Sequence, residues 1–111
     1  MSNVTIPPIT FRIAGVQHRP QDVIHKAIRE GLDVGVGLTL VGEPSNSFDR
    51  YAVKVLYKDN FIGYVPKPVN GQIWQVRNSG FKPTSTLIIY NPDAPTYEMF
   101  EVKVTFSPSH V

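Results

Sequence analysis

At 111 residues and 12.4 kDa the chain is the size of a single domain with one modest core. Its 41% apolar and 18% charged residues are those of a folded globular protein, and the absence of cysteine excludes disulfides, thiol nucleophiles and cysteine-ligated zinc. No apolar run nears the roughly 20 residues a membrane-spanning helix needs, while a net charge of +2 and a pI near 9.0 allow nucleic acid as a partner without requiring it.

The start, MSNVTIPPIT, lacks the basic segment and apolar block of a secretory signal, so the protein is expected in the cytoplasm. Pro7 and Pro8, which donate no backbone N–H, end a tail over residues 1–9. Residues 10–16 alternate as a strand does, with Phe11 and Ile13 on one face and Arg12 and Ala14 on the other, and Gly15 marks a bulge or a close approach. Val23, Ile24, Ala27 and Ile28 then recur at helical spacing; Pro20 stands where a first turn tolerates it and Gly31 caps the end. Residues 34–41 are an apolar strand bent at Gly35 and Gly37. A nine-residue loop of turn formers, GEPSNSFDR, leads into an alternating strand over 52–57. The polar turn Lys58-Asp59-Asn60 and a return strand over 61–65 complete a hairpin. Pro66 and Pro68 stop it, and residues 69–78 form a second helix that buries Ile73, Trp74 and Val76, with Gly80 just beyond. Two more strands, over 86–90 and 99–106, flank a turn at 91–95, and the last points Phe100, Val102, Val104 and Phe106 inward.

About six short strands and two short helices, with glycines at the bends, predict a mostly β fold: a small antiparallel barrel of OB-like or SH3-like type spanning residues 10–106. Apart from a crossover by the first helix, the strands are expected to neighbour their hairpin partners. A C-terminal tail covers 107–111.

Catalysis finds little support. His18, His25 and His110 share no metal-binding spacing, no serine lies in a GxSxG or SxxK setting, and Gly35-Val36-Gly37 lacks the rest of a phosphate-binding loop. Glu43 and Asp49 form the one obvious carboxylate pair, but a barrel this small rarely leaves the cleft a glycosidase needs. No enzyme, metal or cofactor is expected.

The informative segment is EPSNSFDRYAVKV, residues 43–55. Pro44, Asn46 and Asp49 are turn formers, and Ala52, Val53 and Val55 are core. Phe48 stands out, because an aromatic ring in a polar loop either tucks under it or presents its face.

FRIAGV, then GLTLVGEPSNSFDRYAVKV, then FIGYVPK together resemble the HIRAN domain, clearly from residue 10 to the second helix and by length and pattern beyond it. The resemblance implies an OB-like barrel with two helices that recognises DNA, in the best-understood members a single-stranded 3′ end with a free hydroxyl. Carried over by position, Phe48 would stack on the terminal base, Asp49 would hold the end hydroxyl, and Asn46 would line the same loop. Lys67 would contact phosphate, and Tyr64 stands where the family has a histidine. The end-binding members carry a basic residue followed by an aromatic where this chain has Phe11 and Arg12, so strand alternation offers Arg12 to the groove, flat on a base or toward a phosphate. Arg50 and Lys54 flank the loop, and Arg77 and Lys82 can extend a basic track; Trp74 reads as core.

The sequence therefore predicts a non-catalytic DNA-binding module for single-stranded DNA or its 3′-hydroxyl ends, an accessory in DNA repair or replication-fork processing. A helicase or nuclease on a separate chain would be its partner, and a membrane would not. The competing expectation is a protein–protein interaction barrel in which the loop is structural, or, less directly, a nuclease subunit with its active site elsewhere.

Overall fold

Alternating apolar residues build the core from both halves of the chain. Val102 and Val104 of one strand, β6 (Phe100–Pro108), turn inward beside Leu87 of another, β5 (Phe81–Tyr90), and all three are fully buried. The structure, a computed structural model, describes residues 5–109; His110 and the outermost residues of both expected tails lie outside the described residues. The other strands are β1 (Ile9–Arg12), β2 (Gly37–Gly42), β3 (Val53–Tyr57) and β4 (Asn60–Tyr64). Strand β1 thus begins at Ile9, and β6 runs past residue 106 to Pro108.

The six strands are antiparallel throughout, in the order β1-β6-β5-β2-β3-β4, and they curl into a half-barrel. The predicted fold class is the one observed. The strand neighbours differ in part from expectation: β1 lies beside β6, and β5 lies between β6 and β2. The β1–β6 and β2–β5 pairings join segments distant in sequence, which hairpin logic does not reach. The outer edges of the curl meet at one bridge just past β1. There the amide of Ala14 donates to the carbonyl of Tyr64, and the amide of Tyr64 to the carbonyl of Ala14, each at 2.8 Å. Gly63 permits this approach, because a Cβ there would stand 2.5 Å from Ile13 Cγ2 and 2.6 Å from the Ala14 carbonyl oxygen.

Two bounds depart from the sequence reading. The third apolar segment enters the sheet only at Gly37, because Val34 and Gly35 form a turn in which Gly35 takes φ +97°. Strand β5 is ten residues long and starts at Phe81, upstream of the expected 86–90. Its first half pairs with β6 alone, since β2 reaches only Ser85 and Thr86, and that free edge accommodates Pro83.

The helices are α1 (Gln21–Arg29) and α2 (Val69–Asn78). Helix α1 buries Ile24 and Ala27, carries Asp22 in its first turn and Lys26 and Arg29 in its last, and packs on β4. Helix α2 has the bounds its periodicity predicts and packs on β5, burying Ile73 and Asn70. Trp74 is half-buried against the core.

Candidate nucleic-acid interface

Residues 43–52 fold into a braced loop. The Glu43 amide donates to the Ala52 carbonyl at 2.8 Å and the Ala52 amide to the Asp49 carbonyl at 3.0 Å. Inside it, Asn46 Oδ1 accepts from the amides of Phe48 (2.9 Å) and Asp49 (3.0 Å), the local bonding that makes asparagine a turn former. Asn46 Nδ2 donates to Glu43 Oε1 at 3.1 Å, so one side chain ties both arms of the loop.

This bracing decides the orientation of Phe48. With its amide held to Asn46, the ring projects outward and is 94% exposed. It does not tuck under. A ring of that size gains free energy when a partner covers it, and here it is free to be covered.

Phe48 rims an open cavity of about 390 Å³ whose other lining residues include Ala14, Asp49, Tyr64, Pro66 and Lys67. Asn46 lines it as well. Loop, return strand and the segment leading into α2 thus converge: Asn46, Phe48, Asp49, Tyr64 and Lys67, five of the residues singled out in the sequence, share one hollow.

Asp49 is held on both carboxylate oxygens, its side chain 18% exposed. Its Oδ1 accepts the Tyr51 amide at 2.9 Å, and its Oδ2 accepts Asn70 Nδ2 at 2.7 Å, with Lys67 Nζ 3.9 Å away. A carboxylate has about four acceptor positions, so lone pairs remain for a hydroxyl in the cavity. Lys67 is mostly exposed, and its ammonium can pivot toward a phosphate.

Tyr64 donates its hydroxyl to Glu43 Oε1 at 2.9 Å and meets Phe61 edge to face at 5.1 Å. With the hydroxyl committed, the ring is what it offers the cavity. The hydrogen bond from Asn46 holds the Glu43 carboxyl below the usual glutamate range, helped by Tyr64 and by Lys54 Nζ at 3.8 Å, against the opposing effect of burial. Burial, and secondarily Glu43, raises the Tyr64 phenol above the usual tyrosine range. At neutral pH the pair is therefore an anion receiving a proton donor.

Two candidates stand apart from the cavity. Arg50 turns to its neighbour, 2.8 Å from the Tyr51 hydroxyl and 4.9 Å from that ring's centre. Arg12 shares a strand face with Ala14, yet its guanidinium is directed at Glu98 (3.4 Å) and Glu101 (4.0 Å) and does not line the hollow. Asn70, which holds Asp49, is the member of this cluster that the sequence reading omits. Its signal was faint: a polar residue three positions before Ile73, on the buried face of α2. Among the described residues, no group of three or more histidines, cysteines and acids is placed to hold a metal ion, and no helix is long and apolar enough to cross a membrane.

The HIRAN domain family profile matches residues 9–106. Among solved structures, the HIRAN domain of human HLTF aligns with a TM-score of 0.67 at 16% identity, covering 89% of this chain and 74% of that one. A protein from Lactobacillus plantarum aligns with a TM-score of 0.70 at 17% identity, covering 93% of both chains. At such identities these likenesses show the fold. No curated protein matches the sequence.

Proposed function

The chain belongs to the HIRAN domain family, whose members are generally DNA-binding domains, and from that premise we propose that the Phe48 cavity receives the 3′-terminal nucleoside of an unpaired DNA strand. The observation that carries the reading is the pairing of a fully presented ring, Phe48, with a carboxylate, Asp49, whose orientation is fixed by Tyr51 and Asn70. The ring stacks on the last base without regard to sequence. Asp49 accepts the terminal hydroxyl, Lys67 neutralises the adjoining phosphate, and Tyr64 supplies an aromatic floor.

A 3′ phosphate, or a strand that continues past this point, would set negative charge against Asp49 and is disfavoured. Nothing in this arrangement needs a covalent step. The module acts as a binder that delivers or holds strand ends for repair or fork-processing enzymes on other chains.

Fluorescence anisotropy with matched single-stranded oligonucleotides ending in 3′-hydroxyl or 3′-phosphate tests the reading. The hydroxyl end should bind more tightly, and binding should weaken as salt rises. Equal affinity for the two ends removes Asp49 from this role. Absence of DNA binding turns the surface over to a protein partner.

A further inference from the structure

The loop over residues 43–51 has a second side. There Leu40, Val41, Pro44, Trp74, Arg77 and Asn78 enclose another hollow, of about 470 Å³. Its surroundings are aromatic and basic. Tyr51 and Val41 remain 42% and 39% exposed, and Tyr51 meets Trp74 edge to face, with ring centres 6.2 Å apart. Arg50 covers the Tyr51 ring. A neighbouring hollow of about 280 Å³ shares Leu40 and Arg77 and adds Lys82.

The charges are one-sided. No acidic residue lines either hollow, and Arg50, Arg77 and Lys82 take no part in the ion pairs among the described residues. The loop's own acids, Glu43 and Asp49, are engaged elsewhere, Glu43 with Asn46 and Tyr64 and Asp49 with Tyr51 and Asn70. One loop borders both places: Phe48 and Asp49 line the first cavity, and Tyr51, two residues on, meets Trp74 of the second. Cations outside any ion pair, beside an exposed ring, Tyr51, and a half-buried one, Trp74, are the makings of a single-strand track, in which rings stack on bases and cations follow the phosphates.

We infer that an unpaired strand seated at Phe48 by its 3′ end runs on, in the 5′ direction, over the loop and into this second hollow. One of its upstream bases packs against Tyr51 and Trp74, and Arg50, Arg77 and Lys82 hold the phosphates. The inference rests on the reading of the Phe48 cavity as a DNA-end site, and it adds a length requirement that the end site alone does not have.

Trp74 is the only tryptophan in the chain, so the unmodified protein carries its own reporter. Oligothymidylates of about three and about ten nucleotides, both with 3′-hydroxyl ends, bracket the lower part of the site sizes of single-strand-binding barrels. The longer one should bind about fivefold more tightly or better, the scale of one stacked base, and it alone should change Trp74 emission. Arg77 is exposed on α2, so Arg77→Glu spares folding, and it should bring the longer oligomer down to the affinity of the shorter. Equal affinities with an unchanged Trp74 signal overturn the track while leaving the end site standing. Failure of both oligomers to bind overturns the end site, and the track with it.

Discussion

Asn70 reaches from the first turn of α2 to Asp49, its Nδ2 donating to Oδ2 at 2.7 Å, while its own Oδ1 accepts the Gly71 amide at 2.7 Å. The carboxylate at the centre of the site is therefore set by a helix lying outside the loop that bears it. Asn70 is buried, so its amide has no water to turn to.

Asn70→Ala accordingly costs about 1–3 kcal/mol of stability, the range for losing a hydrogen bond to a charged group or stranding its partner. Urea unfolding measures that loss. The substitution should also reduce the preference for a 3′-hydroxyl over a 3′-phosphate end, because Asp49 loses its fixed orientation; an unchanged preference would show that Asn70 serves the fold alone.

Phe48→Ala separates binding from folding in the opposite sense. The ring touches little of the protein, so the urea midpoint should stay where it is. Single-strand affinity should fall by about 1–3 kcal/mol, the contribution of one aromatic–base stack. Anisotropy titration of the purified variant checks this, and an affinity equal to that of the parent would leave the exposed ring without a role in DNA binding.

Arg12→Ala should be nearly silent toward DNA. Its guanidinium is engaged by Glu98 and Glu101 on an exposed face, and such pairs contribute about 0–1 kcal/mol to stability. A large loss of affinity in the variant would mean that Arg12 leaves both acids to meet the strand.

Glu43 should make stability depend on pH in one direction. Its folded-state pKa lies below the ordinary glutamate value, so its stabilising contribution is present above that value and is lost as pH falls through the lowered one. In Glu43→Gln that dependence disappears. The stability gap between parent and variant, followed by urea unfolding at a series of acidic pH values, should narrow as pH drops below the ordinary glutamate range; a gap constant with pH refutes the assignment.

Local chemistry was readable from the sequence wherever a short-range pattern decides the outcome. The bounds of α2 follow from prolines before it, apolar spacing within it and Gly80 after it. The braced turn follows from Asn46 and Asp49. What was not readable depends on distant parts of the chain. Lys82, Pro83 and Thr84 look like loop residues until β6 pairs with them, and β1 gives no sign that its partner lies at the other end of the chain. Phe48 could be assigned to either orientation until the hydrogen bonds of Asn46 fixed its backbone. For Arg12, alternation gives the correct face, but the acids that hold its guanidinium come from a 3₁₀ turn, Thr96–Glu98, and from β6.

The bridge between Ala14 and Tyr64 has a consequence for how occupancy is felt. The same two residues wall the Phe48 cavity, so the recess sits astride the seam where the curled sheet closes. A nucleoside lodged there spans both lips of that seam, and its binding energy opposes their parting. Solvent exchange at these two amides should therefore slow in proportion to how much of the protein is loaded, turning the closure of the sheet into a gauge of its cargo.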